Sequence, residues 1–183
     1  PHGVSMTRID EFRECAGTVI DLSADFRLQE EAQYEEYYDG HTRPELLREA
    51  SYGLPEVASD DIGDSDIIAC GGCNATATIL GLLPLFRSGI VTDDRIVVDV
   101  KVGSSESGAG GGQASHHAER SGIVRPYAPT SHRHEAEIEQ ELGTSVSFTV
   151  HAVDMIRGAS ATCHVFPDRF PEKRDVWGAY RER

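Results

Sequence analysis

The spacing of apolar and polar positions changes along the chain, and each change predicts an element. Residues 18–22 are a short β-branched run that ends in the polar loop Ser23-Ala24-Asp25-Phe26-Arg27, which predicts a buried strand entering a loop. Residues 29–38, rich in Glu and Tyr, predict a short surface helix, and Tyr52-Gly53-Leu54-Pro55-Glu56 predicts a turn. Residues 66–70 predict a second buried strand. Gly71-Gly72 breaks it, and apolar Ile79, Leu80, Leu82, Leu83 and Phe86 predict a helix over 74–87. Residues 95–102 alternate and run into a Gly/Ser-rich loop at 103–112. A helix is predicted over 132–142, with Ser131 as its N-cap and Ile138 and Leu142 one turn apart. Residues 145–153 and 159–166 predict a strand pair joined through Arg157-Gly158, and 177–183 predict a closing helix.

Short apolar strands between helical segments are the pattern of an α/β chain with a parallel sheet. After residue 90 the texture becomes mostly β with one helix, which predicts an antiparallel sheet domain. The expected division is 1–75 and 76–183. No stretch approaches the roughly 20 apolar residues that span a bilayer, so no membrane partner is expected. The start, Pro1-His2-Gly3-Val4, has neither a basic region followed by an apolar one nor an initiator Met, and is read as the beginning of an internal fragment.

The net charge of -14 excludes nucleic-acid binding through a general basic surface. Of the 17 basic residues only Lys101 and Lys173 are lysines. Many carboxylates with almost no Lys point to a cytoplasm of high salt, where screening weakens repulsion; the plainer alternative is an ordinary acidic protein. The cysteines are Cys15, Cys70, Cys73 and Cys163. A chain this long needs no disulfide staple, and reduced thiols in a cytoplasm are the expectation.

Strand, Gly-Gly, Cys73, helix is an arrangement with a mechanism. Glycines allow a sharp turn and leave room above the thiol. The helix start offers unpaired N–H groups and a positive dipole end, which stabilise a thiolate and an oxyanion. Asn74 offers a side-chain donor beside it. Against this stands the ordinary fate of cysteine as a small buried residue. Cys70 and Cys73 also form a C-x-x-C, so a zinc- or redox-binding module is the non-enzyme alternative.

A cysteine nucleophile needs a proton partner. Among His116, His117, His132, His134, His151 and His164, the pair in Ser131-His132-Arg133-His134-Glu135 opens a predicted helix. His134 lies one turn before Ile138 and faces the buried side, so it is preferred as acid/base, with His132 second; a His satisfying a helix end is the plain reading of both. The loop at 103–112 allows close backbone approach and an anion-binding nest, but it is not a dinucleotide fingerprint. Arg27 follows a strand end and offers a planar fork to a phosphate. Arg120, Arg125 and Arg133 are the candidate cluster for docking a charged partner.

Six segments in order, covering nearly the whole chain, resemble the N-acetyl-glutamyl-phosphate reductase family of the aspartate-semialdehyde dehydrogenase superfamily. They are Pro1-His2-Gly3-Val4, residues 21–27, residues 52–56, Gly72-Cys73-Asn74-Ala75-Thr76-Ala77, Ser107-Gly108-Ala109-Gly110, and His132-Arg133-His134-Glu135-Ala136-Glu137-Ile138. Gly-Cys-Asn-Ala-Thr, the 114–120 segment and Glu-Ala-Glu at 135–137 are most similar to the branch whose substrates ride on a small amino-group carrier protein in lysine and arginine biosynthesis. The alternative is the branch that acts on the free acetylated substrate.

The resemblance implies part of a Rossmann-type NADP-binding sheet, without its glycine-rich loop, then an α+β catalytic and dimerisation domain. It implies NADPH-dependent reduction of an aminoadipyl or glutamyl phosphate to the semialdehyde in a homodimer or homotetramer. It places the nucleophile on Cys73, the acid/base on His134 or His132, and the substrate phosphate on Arg27. Cofactor contacts fall on Ser23, Ala24, Ser107, Gly108, Ala109 and Gly110. The fragment alone is expected to be inactive.

Overall fold

In a computed structural model, the chain is described over residues 1–92, 95–108, 110 and 112–181, apart from the side chains of 58–61 and 114. It divides into two compact units, Pro1–Gly72 and Cys73–Arg183.

The first unit is built on three short parallel strands, β1 (Val19–Asp21), β2 (Ser51–Tyr52) and β3 (Ile67–Ala69), in the order β1-β3-β2. Parallel neighbours need crossovers, and these run through helices α2 (Glu31–Tyr37) and α3 (Pro55–Gly63). The expected turn at 52–56 is thus the end of β2 running straight into α3, with Pro55 in the first helical turn. A further helix, α1 (Ser5–Cys15), precedes β1. Its sequence is mostly polar; Met6 and Ile9 alone are buried on it. They join Phe26, Leu46, Leu47, Ala50, Ile67 and Ala69 in one core. Val4, at the N-cap position, has no capping side chain. The Asp25 carboxylate instead accepts from the N–H groups of Gly3 at 2.7 Å and Met6 at 3.0 Å. The polar loop after β1 therefore caps the helix before it.

The second unit opens with α4 (Cys73–Arg87), includes the short helix α5 (His117–Arg120), and carries a four-stranded sheet of β4 (Val97–Val102), β5 (Val124–Tyr127), β6 (Ser147–Val153) and β7 (Ala159–His164). Its order is β5-β6-β4-β7. Val98, Val100, Val102, Phe148, Val150 and Ala152 are buried on one face. Helix α4 packs against β7, α6 (His134–Leu142) and α7 (Lys173–Arg181). The last helix begins earlier than residue 177, where the sequence places it.

The sheet is mixed, not antiparallel, and β6 and β7 are not a pair. Strand β4 lies between them, parallel to β6 and antiparallel to β7. The connector from β6 to β7 passes over the end of β4 and bonds to it. Gly103 N–H donates to the Gly158 carbonyl, Ser104 N–H to Met155, and Ser105 N–H to Ile156, at 2.9–3.0 Å. A Cβ on Gly103 would sit 2.7 Å from the backbone of Ile156 and Arg157, so this close passage requires glycine. No periodicity distinguishes a hairpin from two strands that flank a third. Strand β5, which the sequence does not announce, contains Pro126 and takes the edge, where a missing N–H is tolerated. Among the described residues no helix is long and apolar enough to cross a membrane.

Candidate functional site

Cys73 is the first residue of α4 and is solvent-exposed, in contrast to half-buried Cys70 and Cys163. Its Sγ lies 3.5 Å from Oδ1 of Asn74, which is buried at 1% exposure. The sequence suggests Asn74 as a donor; here its oxygen is the end toward sulfur. The backbone N–H groups of the first turn of α4 remain as the donor set for charge developing beside Cys73. Among the described residues no group of three or more His, Cys, Asp and Glu side chains is arranged to hold a metal ion, so the zinc alternative finds no ligand set there.

Both histidines of the His-x-His segment are buried, His132 at 6% and His134 at 4% exposure. Helix α6 begins at His134 with Arg133 as N-cap, so Ser131 does not cap it. His132 Nδ1 does part of that work, accepting the N–H of His134 at 3.1 Å. That bond fixes Nδ1 as the acceptor, so the ring of neutral His132 carries its proton on Nε2. Burial, aided by Arg133, lowers its pKa to about 4. His132 is therefore neutral at pH 7 and a weak proton acceptor. Its preceding-loop position, not a helical one, explains why a helical wheel misplaces it. His134 has Nε2 3.9 Å from Oε1 of Glu137, one turn on and equally buried. At that distance the two form an ion pair only when the imidazole is protonated. The two rings meet edge to face with centroids 4.7 Å apart.

Two residues not singled out by the sequence join the cluster. Tyr127, at the end of β5, has its ring 5.8 Å from His132 and lies within the electrostatic reach of Cys73. Its hydroxyl donates to Oε2 of Glu106 at 2.6 Å and also hydrogen-bonds the Asn74 side chain. Burial and the Glu106 carboxylate push the phenol well above its ordinary range. Glu106 sits in the single 3-10 turn Ser104–Ser107 and approaches Arg120 Nη2 at 3.9 Å. Arg120 is 2% exposed and donates to the Val102 carbonyl. It therefore leaves the expected docking cluster, while Arg125 and Arg133 stay exposed. Glu106 is the one charged residue in the Gly/Ser loop 103–112, a signal that was legible; a lone Tyr after a Pro carried none.

Gly108 adopts φ +72°, and a Cβ on Gly108 or Gly110 would meet open space. Ala109 lies outside the described residues. In the first unit, Ser23 and Ala24 are buried, and their N–H groups are engaged by Asp21 and by His2 Nδ1. Arg27 is 7% exposed and spans two strand ends, Nε to the Cys70 carbonyl at 2.7 Å and Nη2 to Leu22 at 3.2 Å.

The chain is similar to known proteins in both units. A family model described as semialdehyde dehydrogenase, dimerisation domain, matches residues 73–183, and one described as semialdehyde dehydrogenase, NAD binding domain, matches residues 1–65. A Haloarcula marismortui protein named LysW-L-2-aminoadipate/LysW-L-glutamate phosphate reductase is 72% identical over 99% of this chain and 53% of its own length. A protein of the same name from Natronomonas pharaonis is 67% identical over 100% of this chain and 53% of its own. A LysW-L-2-aminoadipate 6-phosphate reductase of Thermomicrobium roseum is 48% identical over 99% of this chain and 53% of its own. The chain thus spans about half the length of the curated relatives it matches. Aspartate semialdehyde dehydrogenase II of Vibrio cholerae superposes with a TM-score of 0.70 at 16% identity, over 98% of this chain and 57% of that one. The Candida albicans aspartate semialdehyde dehydrogenase solved with NADP gives 0.62 at 15%, over 98% and 52%. At these identities the structural likeness is one of fold alone.

Proposed function

Because the chain belongs to the semialdehyde dehydrogenase family, we propose that it carries the thioester-forming site of an acyl-phosphate reductase acting on carrier-bound aminoadipyl or glutamyl phosphate. The observation that carries this reading is an exposed cysteine at the start of α4, linked through Tyr127 to a pair of buried histidines at the entrance to α6. The names of the relatives support the carrier-bound substrate and its LysW-type carrier. The dimerisation-domain match supports a homo-oligomer.

The Cys73 thiolate adds to the acyl-phosphate carbonyl, and the helix N–H groups meet the oxygen as it gains charge. The carbon–oxygen bond to phosphate breaks, leaving a thioester on Cys73 and free phosphate. When bound, a nicotinamide dinucleotide, taken as NADP(H) from the resemblance, would supply the hydride for reduction. His134, beside Glu137, receives the thiol proton at the first step and returns it to the Cys73 sulfur as the carbon–sulfur bond breaks and the semialdehyde forms. His132, neutral and held through Nδ1, packs against His134 and the site wall. By the resemblance, Ser107, Gly108 and Gly110 would hold part of that dinucleotide, and the open space beside the two glycines supports this. Ser23 and Ala24, buried with their N–H groups engaged, serve closure of their own loop. Arg27 braces the carbonyls of Cys70 and Leu22 through two of its five N–H groups, and its role on the substrate phosphate is taken from the resemblance.

The test joins this chain to the flanking regions of the Haloarcula relative and assays dinucleotide oxidation with the acyl phosphate, carrier-linked and free. Cys73→Ser is expected to reduce turnover by at least about 10³-fold. Near-normal turnover would overturn the assignment, and activity with the free acetylated substrate alone would overturn the carrier.

A further inference from the structure

We infer that Tyr127 and Glu106 are positioning residues that fix the orientation of the Asn74 amide and, through it, the protonation of Cys73. This rests on the reading of Cys73 as the nucleophile, and it concerns how that nucleophile is held at rest.

The argument starts at Glu106. A carboxylate accepts hydrogen bonds and does not donate them. Its Oε2 accepts from the Tyr127 hydroxyl at 2.6 Å, while Oε1 faces the buried guanidinium of Arg120. A phenol has one proton, and here Glu106 takes it. The Tyr127 oxygen therefore meets Asn74 only as an acceptor, which assigns the amide Nδ2 to Tyr127. An amide has one donor end and one acceptor end. With Nδ2 turned to Tyr127, Oδ1 is left for Cys73, where the S–H donates to it at 3.5 Å.

The consequence is electrostatic. An amide oxygen beside sulfur favours the thiol and disfavours the thiolate; an amide N–H in its place does the reverse. At 1% exposure no water intervenes to soften the choice at Asn74. Breaking the Tyr127–Glu106 bond frees the amide to turn its N–H toward sulfur. Among the described residues, other titratable groups at this end of the unit include His132, Arg133, His134, Glu135 and Glu137 at the start of α6 and Arg120 beside Glu106. Cys163 and Tyr180 lie further along α4, beside Gly81.

The experiment is a pH series of Cys73 alkylation by iodoacetamide on the full chain, with exposed Cys15 as internal control. Tyr127→Phe is expected to lower the midpoint for Cys73 by about one pH unit, or roughly tenfold faster labelling below it, with Cys15 unchanged. Glu106→Gln is expected to move it the same way by less. In an Asn74→Ala background, Tyr127→Phe is expected to add nothing, because the amide that transmits the effect is gone. An unmoved midpoint in Tyr127→Phe, or an equal shift with and without Asn74, would overturn the inference. If Tyr127→Phe melts early, Glu106→Gln alone and combined with Asn74→Ala gives the same comparison. Failure of the nucleophile reading is registered separately, by turnover in Cys73→Ser, and does not alter these midpoints.

Discussion

At the entrance to α6, His132 binds the N–H of His134 through Nδ1 and is closed in by Phe148 and Tyr127. Folding lowers its pKa to about 4, against about 6.5 in an unfolded chain. Between those values the unfolded chain binds the proton that the folded one refuses, so stability falls as pH drops through that window. The loss amounts to about 3 kcal/mol. Urea unfolding of wild type and His132→Gln at pH 7 and pH 4 checks this: wild type is expected to lose about 3 kcal/mol more than the variant, and parallel losses would contradict it. The sequence singles out residues with a local signature, Cys73 after Gly-Gly and the His-x-His pair, and the structure places them at the start of α4 and the entrance to α6. Tyr127 was not legible, because its role depends on Glu106 and Asn74, which lie far from it in sequence.

Among the elements, the strands and helices were largely legible from periodicity, and their pairing was not. The apolar alternation in 97–102 says that one face of β4 is buried. It does not say that β4 lies between β6 and β7, a fact fixed by the wrap of the 154–158 connector over Gly103. Helix α1 escaped notice because its N-terminus is capped by Asp25, beyond any local motif. The Gly103 passage can be tested alone. Gly103→Ala is expected to destabilise the second unit by about 1–3 kcal/mol, because its Cβ meets backbone that cannot swing aside. Thermal or urea unfolding measures the cost, and a variant as stable as wild type would contradict the close passage.

For the whole molecule, net charge dominates. With a charge of -14 and only two lysines, carboxylate repulsion opposes compaction, and salt relieves it. The melting temperature is expected to rise steadily from about 0.1 M to 2 M KCl, with the larger part of the gain at the low end, where screening changes most. A flat or falling response would refute salt adaptation. The family membership of both units was readable from six ordered motifs. The support around Cys73 was not, because it is a property of packing in the second unit.

The most direct test of the central claim is intact-mass analysis of the relative-length chimera mixed with acyl phosphate in the absence of dinucleotide. The account predicts a single acyl adduct that maps to Cys73, releases one phosphate, and disappears in Cys73→Ser. Turnover without any adduct on Cys73, or an adduct and activity that survive Cys73→Ser, would contradict it.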